Sequence, residues 1–247
     1  MKCHAVCLIL LTVPTSIARG GQQQEMNVTQ DQAVDQQPKQ EPSSHGNPSQ
    51  RQHQEHHHAF SDPAQRAKKW NDPARDQWQH PEEMLATLAL KPGAMVADLG
   101  AGTGYMVAHL SKALGKEGTV FAIDASTAMV EYLTKRAVDL GPAKIIPRKV
   151  GPQDPELPAG SLDGVLTLDT WHHVKGQEAY ARLVFAGLKQ GGKFVVVEYE
   201  VDAEVGPPKE MRLEPAQVTK QLQAAGFRVE VAPESMPRHY MVVGTKD

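Results

Sequence analysis

The sequence contains few cysteines and few aromatic residues, and neither charge sign is in large excess. Only two of the 247 residues are cysteines, Cys3 and Cys7, which excludes a disulfide scaffold and a cysteine-based zinc site. The formal net charge is -3, so the chain lacks the basic excess that is typical of nucleic-acid-binding proteins. Aromatic residues make up 5% and mean hydropathy is -0.44, so part of the chain is not expected to pack in a core.

No apolar run is long enough to cross a bilayer, which takes about 20 residues. The apolar stretch Ala5–Val13 follows Lys2 and precedes the small-residue triplet Ser16–Ala18, a pattern typical of a secretory signal peptide. We therefore expect residues 1–18 to be removed after Ala18 and the protein to be exported, periplasmic or secreted. The alternative is an apolar N-terminal helix. Both cysteines lie within this segment, so the mature chain would contain none.

Residues 19–58 are rich in glutamine and histidine and poor in apolar residues, which predicts a disordered linker. Its last part, His53–His58, has imidazoles that chelate transition metals, but the spacing defines no coordination geometry. We interpret it as a solvated linker, and no metal ligands are predicted.

Residues 59–247 are expected to form one domain of the α/β class, because short apolar runs alternate with amphipathic helices. Helices are predicted at Pro81–Leu90, from the glycine-rich loop to Leu114, from the Ser126 cap to Leu140, at Gln177–Lys189 and at Pro215–Ala225. Strands are predicted at Ala94–Leu99, Gly118–Asp124, Lys144–Val150, Leu162–Leu168, Lys193–Tyr199, Phe227–Val231 and His239–Val243. Pro147 favours an edge position for the third strand.

The first strand leads into Asp98–Gly104, whose pattern is Asp-x-Gly-x-Gly-x-Gly, and then directly into a helix. Glycines at this position let a ligand approach the backbone at the carboxyl ends of the strands. Tyr105 stands where a dinucleotide-binding fingerprint requires glycine. Asp124 ends the second strand, where a carboxylate can accept hydrogen bonds from both ribose hydroxyls of an adenosine-containing ligand.

These residues resemble the class I S-adenosylmethionine-dependent methyltransferases. Asp98–Gly104 is similar to the first motif of that family, Asp124 to its second, and Leu188–Lys193 to the turn before its fifth strand. The resemblance implies a Rossmann-like, doubly wound sheet of seven strands in the order 3-2-1-4-5-7-6, with the last strand antiparallel and helices on both faces. It also implies S-adenosyl-L-methionine as the cofactor, held by Asp98, Gly100, Ala101, Gly102, Gly104, Asp124 and Ala125, with Gln153 or Asp154 at the adenine.

Within that family, the segments Phe60–Asp62, Trp70–Gln79 and Asp169–His173 resemble a group of exported bacterial methyltransferases of the small-molecule type. The resemblance places Asp169, His172 and His173 on the substrate side and makes them the candidate catalytic residues. The alternative is an exposed loop with one histidine packed on Trp171.

Four further residues carry weaker expectations. Trp70 and Trp78 are either a lid over the cofactor or part of the core. His109 is expected on a helix surface, and His239 has no role that the sequence indicates.

The sequence therefore predicts a monomeric methyltransferase that acts on a small-molecule methyl acceptor outside the cytoplasm. Asp169–His172 lacks the prolines of the signature found in adenine and cytosine-N4 methyltransferases, and a mature chain without cysteine disfavours cytosine-C5 chemistry. The alternatives are a protein carboxyl methyltransferase of the isoaspartyl type and a non-catalytic exported protein that binds S-adenosylmethionine or a metal.

Overall fold

The structure, a computed structural model, describes residues 62–247. The predicted signal peptide and the whole of the predicted linker therefore lie outside the described residues. The strands are β1 Met95–Leu99, β2 Thr119–Asp124, β3 Lys144–Lys149, β4 Leu162–Leu168, β5 Leu188–Tyr199, β6 Arg228–Ala232 and β7 His239–Thr245. The α-helices are α1 Pro63–Trp70, α2 Asp76–Gln79, α3 Pro81–Leu88, α4 Tyr105–Leu114, α5 Thr127–Arg136, α6 Gln177–Gly187 and α7 Pro215–Ala224.

The seven strands form one sheet in the order β3-β2-β1-β4-β5-β7-β6, which confirms the predicted topology. β7 runs antiparallel to both β5 and β6, whereas the other neighbouring pairs are parallel. β3 is an edge strand, as Pro147 predicts, because a proline lacks the N–H that a second neighbour would need.

Helices cover both faces of the sheet because alternate strand residues point to opposite sides. Val96 of β1 packs in one apolar cluster with Met84 of α3 and Leu110 of α4. Its neighbour Ala97 packs in the other cluster with Val184 of α6 and with residues of α7. The sheet is therefore buried on both faces, which explains the nearly continuous apolar sequences of its central strands.

Several element boundaries differ from the sequence prediction, and three of the differences have a clear physical reason. β5 begins at Leu188 and not at Lys193, because Leu188 is fully buried and pairs with Leu162 immediately after α6. The pairing register of β4 and β5 then shifts. Gly191 and Gly192, which belong to the segment predicted as the turn before this strand, lie within β5. α5 ends at Arg136, four residues early, and a 3-10 turn tightens the chain before it reaches Gly141. α3 ends at Leu88, because Ala89 adopts a left-handed conformation.

Two short helices precede the predicted elements, and both have recognisable start signals. The Asp62 carboxylate accepts a hydrogen bond from the Gln65 amide at 2.9 Å, and Pro63 occupies the first turn of α1. Asp72 and Pro73 repeat this arrangement at a 3-10 turn that leads into α2. Asp-Pro pairs were the sequence signal for these helices.

The sheet changes its winding direction between β1 and β4. The connection after β1 places α4 on one face, and the connection after β4 places α6 on the other. The carboxyl ends of these adjacent strands diverge into the crevice that binds ligands in open α/β sheets. Among residues 62–247, no helix has the length and apolar character needed to cross a bilayer.

Candidate active site

A cleft of about 1510 Å³ opens at the carboxyl ends of β1, β2 and β4. The glycine-rich loop after β1 forms its floor. Residues of α1 and α2 cover it, and the segments after β4 and β5 form the remaining wall. The cleft brings together most of the residues that the sequence singled out: Asp98, Gly100, Ala101, Gly102, Asp124, Ala125, Asp169, His172 and His173.

The glycine loop has a backbone that other residues rarely adopt. Gly100, Gly102 and Gly104 have φ angles of 78°, 53° and 92°, all in the left-handed region. A Cβ atom on Gly100 would lie 2.2 Å from the Oγ1 atom of Thr170, so the loop approaches the segment after β4 as closely as atoms allow. Gly104 begins α4 against the buried side chain of Leu133 and does not line the cleft.

Asp124 connects this loop to the end of β2. Its Oδ2 atom accepts a hydrogen bond from the Gly102 amide at 2.9 Å, and its Oδ1 atom accepts one from the Ser126 amide at 2.8 Å. Burial raises the pKa of the Asp124 carboxyl, and these backbone hydrogen bonds act in the opposite direction. Each oxygen keeps a further lone pair, so Asp124 can brace the loop and still accept hydrogen bonds from a ligand.

Asp98 is the most deeply buried carboxyl group in the cleft wall, with 3% of the residue exposed. Burial, followed by repulsion from Asp124, raises the pKa of Asp98 to about 7, although the positive charge of Arg75 acts against this. A buried carboxylate of this kind is stabilised by a cationic ligand group placed beside it.

Trp70 and Trp78 line the cleft and are only half-buried. Of the two predicted alternatives, this favours a lid over the cofactor rather than a place in the core. The Trp70 ring lies 3.5 Å from the point that a Cβ atom on Gly102 would occupy. Asn71, the next residue, donates to the Thr103 carbonyl at 2.9 Å and accepts from its hydroxyl at 2.6 Å. These two hydrogen bonds hold the end of α1 against the glycine loop.

Arg75 joins this covering segment to the opposite wall. Its guanidinium donates to the Trp70 carbonyl and to Gln79, and it lies 4.1 Å from the centroid of the Tyr105 ring. Its Nη2 atom also contacts the Oδ2 atom of Asp169 at 3.4 Å. The sequence analysis did not identify Arg75, because only the fold brings it next to β4.

Asp169 is the first residue after β4 and has a left-handed φ of 55°. In a residue other than glycine, such a conformation often marks a functional position. Its Oδ1 atom accepts a hydrogen bond from the Nε2 atom of His239 at 2.9 Å, and a quarter of its side chain is exposed. His239, for which the sequence indicated no role, is fully buried. Its hydrogen bond fixes the orientation of Asp169.

His172 and His173 have different environments. The Nδ1 atom of His172 lies 2.7 Å from the Oε2 atom of Glu198 at the end of β5, and the His172 amide donates to the other oxygen at 3.1 Å. The two side chains are 3% and 1% exposed, so this is a buried pair. His173 is exposed, and its ring lies 4.1 Å from that of His172. Trp171 packs instead against Tyr180 and Phe194 in the core.

Gln153 and Asp154 lie beside the cleft, outside its lining, which includes their neighbours Gly151 and Pro152. Both are exposed, and the Asp154 Oδ1 atom accepts a hydrogen bond from the Glu156 amide at 2.7 Å. An adenine contact for either residue stays a prediction. His109, expected on a helix surface, is half-buried and contacts Asp76 at 3.3 Å.

The loop after β5 completes the cleft around a single arginine. The Arg212 guanidinium donates to the carbonyls of Val201 at 3.0 Å, Ala203 at 2.6 Å and Pro207 at 2.9 Å. Gly206 and Pro207 thereby form a defined wall next to Tyr199. Loop composition alone does not reveal this arrangement, because the acceptors are backbone atoms.

Comparisons with known proteins agree with this geometry. Residues 96–192 match the family model of the methyltransferase domain. A solved structure of an S-adenosylmethionine-dependent methyltransferase from Aquifex aeolicus superposes with a TM-score of 0.68 and 28% identity, covering 75% of this chain and 99% of that one. Residues 96–192 are therefore a methyltransferase domain, and the resemblance to the class I S-adenosylmethionine-dependent methyltransferases is confirmed.

Two curated relatives show how far the similarity extends. The ubiquinone/menaquinone biosynthesis C-methyltransferase UbiE of Stenotrophomonas maltophilia is 32% identical over 49% of this chain and 48% of its own length. Phosphoethanolamine N-methyltransferase 1 of Arabidopsis thaliana is 28% identical over 48% of this chain and 23% of its own. The chain thus spans about a quarter of the length of one of these relatives and about half of the other.

The difference between the two histidines predicts different effects on stability. His172→Ala is expected to lower the free energy of unfolding by about 3 kcal/mol, because it leaves the Glu198 carboxylate buried without a side-chain partner. His173→Ala, the comparison variant, is expected to lower it by less, because His173 is exposed. Urea denaturation monitored by tryptophan fluorescence measures both. Equal losses in the two variants would show that the pair with Glu198 contributes nothing.

The raised pKa of Asp98 predicts a pH dependence of stability. Between about pH 4 and pH 7, the native state retains the Asp98 proton and the unfolded state has lost it, so stability falls as pH rises. The loss is about 1.4 kcal/mol for each unit of difference in pKa. Asp98→Asn is expected to remove this component. Unfolding free energies of both proteins, measured across that range, would contradict the assignment if their pH profiles were parallel.

Proposed function

We propose that this protein binds S-adenosyl-L-methionine in the cleft and transfers its methyl group to a small molecule. The observation that carries the proposal is the left-handed glycine loop after β1, whose Gly102 amide donates to the carboxylate of Asp124 at the end of β2. This arrangement lies where the sheet changes its winding direction, the position at which α/β proteins bind nucleotide-like ligands.

The donor groups of the cleft fit the parts of this cofactor. Asp124 retains lone pairs for the vicinal ribose hydroxyls, and the glycine backbone leaves room for the ligand to lie against it. Asp98, buried beside the loop, suits the α-ammonium group of the methionine part. The half-buried Trp70 ring covers the same space and limits the access of water.

When bound, the cofactor supplies an activated methyl group on a sulfonium, so the protein mainly has to orient the acceptor and exclude water. Asp169 is the group best placed for this, because its partly exposed carboxylate lies after β4 and both of its oxygens are held in position. It can hydrogen-bond to an acceptor N–H or O–H and take a proton from it. His172 supports the same wall through its contact with Glu198. The proposal retains His172 as a candidate catalytic residue.

A small acceptor suits a cleft that is bordered by covering segments on two sides. α1 and α2 cover the glycine loop, and the Arg212-centred loop adds a second wall, so cofactor and acceptor share the same 1510 Å³. A protein carboxyl substrate would require these two segments to separate.

The binding step is tested by calorimetry on the full chain with S-adenosylmethionine and its demethylated product, S-adenosylhomocysteine. Both are expected to bind, and Asp124→Ala is expected to weaken binding at least tenfold, because it removes the ribose hydrogen bonds and the brace on Gly102. Glu131→Ala, an exposed acidic residue on α5, is the matched control and should bind normally. A wild-type protein that binds neither compound would refute the proposal.

We also propose that the protein acts outside the cytoplasm, which rests on the sequence of residues 1–18 alone. Expression of the full chain in a bacterial host, followed by cell fractionation and N-terminal sequencing, is expected to give a periplasmic or secreted product that begins at Arg19. An uncleaved product in the cytosolic fraction would contradict export.

A further inference from the structure

Several basic side chains line the cleft, among them Arg238, which precedes β7 and is half-buried. Within residues 62–247, no carboxylate forms an ion pair with it, whereas Arg75 is paired with Asp169. Asp98 and Asp124 lie at the other end, next to the glycine loop. The acceptor end of the cleft therefore carries an uncompensated positive charge.

The orientation of Arg238 is held by an aromatic ring. Its guanidinium carbon lies 5.2 Å from the centroid of the Trp78 ring, which is a cation–π distance. A guanidinium that stacks in this way keeps its N–H groups in the plane free for hydrogen bonds, which suits the two oxygens of a carboxylate or a phosphate.

Aromatic side chains form a wall next to this charge. The Tyr199 ring lies 4.1 Å from the His239 ring, and the His239 ring is stacked on Trp78 at 6.2 Å. Burial, followed by the negative charge of Asp169, raises the pKa of Tyr199 to about 12, so its hydroxyl stays protonated at neutral pH and can donate. Such a wall can contact the apolar body of a ligand. The Tyr199 hydroxyl adds a hydrogen-bond donor near Arg238.

The charge of Asp169 does not oppose an anion here. Each of its oxygens contacts one hydrogen-bond donor, Arg75 at 3.4 Å and His239 at 2.9 Å, and keeps a lone pair for the acceptor. An acceptor with a negative group at Arg238 therefore meets a wall in which the Asp169 carboxylate is already compensated. Its reactive atom would then lie towards Asp169 and the glycine loop.

We propose that the methyl acceptor carries an anionic group, a carboxylate or a phosphate, which is bound by Arg238 with the Tyr199 hydroxyl as a second donor. This inference rests on the proposed methyltransferase function and names the chemical class of its acceptor. Arg238 is thus a specificity-determining residue, and the aromatic wall favours an acceptor with an apolar or planar body.

The test is calorimetry on the full chain saturated with S-adenosylhomocysteine. The probes are benzoate and phenyl phosphate as anions, benzyl alcohol as the neutral reference and benzylammonium as the cation. At least one anion is expected to bind tenfold or more tightly than benzyl alcohol, and the comparison of benzoate with phenyl phosphate distinguishes a carboxylate from a phosphoryl site. Arg238→Gln is expected to abolish this preference and to leave the affinity for S-adenosylhomocysteine unchanged.

Arg182→Gln, an exposed arginine on α6, is the matched control and should keep the preference. Equal binding of anions and benzyl alcohol, tighter binding of benzylammonium, or an anion preference that persists in Arg238→Gln would each overturn the inference. Affinity for S-adenosylhomocysteine is measured on the same samples. Its absence from the wild type contradicts the proposed function, whereas its presence without an anion preference contradicts this inference alone.

Discussion

The contact between Arg75 and Asp169 joins the two halves of the candidate active site. Arg75 belongs to the N-terminal segment that covers the glycine loop, and Asp169 follows β4 on the far wall. The same guanidinium lies over Tyr105 of α4 and donates to the Trp70 carbonyl, so one side chain connects the cover, the first helix after the loop and the wall that follows β4. Because these groups are largely shielded from water, the interaction is screened less than a surface ion pair.

The acidic groups of the cleft are separated according to their partners. Asp124 is held by backbone amides and Asp98 by burial next to the loop, whereas Asp169 is held by a cation and an imidazole. The cofactor end can therefore receive a ligand that carries an ammonium group and ribose hydroxyls. The acceptor end has its acidic charge compensated and retains the positive charge of Arg238. The cleft thus places two carboxyl groups beside the glycine loop and the positive charge of Arg238 next to Trp78.

The accuracy of the sequence predictions depended on how local each signal was. The glycine-rich floor of the cleft and the position of Asp124 followed from motifs contained within a few residues, whereas the order of the strands followed from the resemblance to a known family. The start of β5 was wrong, because the burial of Leu188 against Leu162 depends on a partner strand and not on the glycines nearby. His239 was overlooked because its hydrogen bond to Asp169 joins residues 70 positions apart.

The sequence by itself determined the fold class, the glycine-rich loop and the two acidic residues at the carboxyl ends of β1 and β2. Periodicity and short motifs are local properties, and they survive without any knowledge of packing. Only the tertiary structure decided which side chains meet across the cleft: Arg75 with Asp169, His172 with Glu198, and Arg238 with Trp78. Each of these contacts connects different elements of the fold, and their proximity results from how the sheet orders its strands and where the covering helices pack.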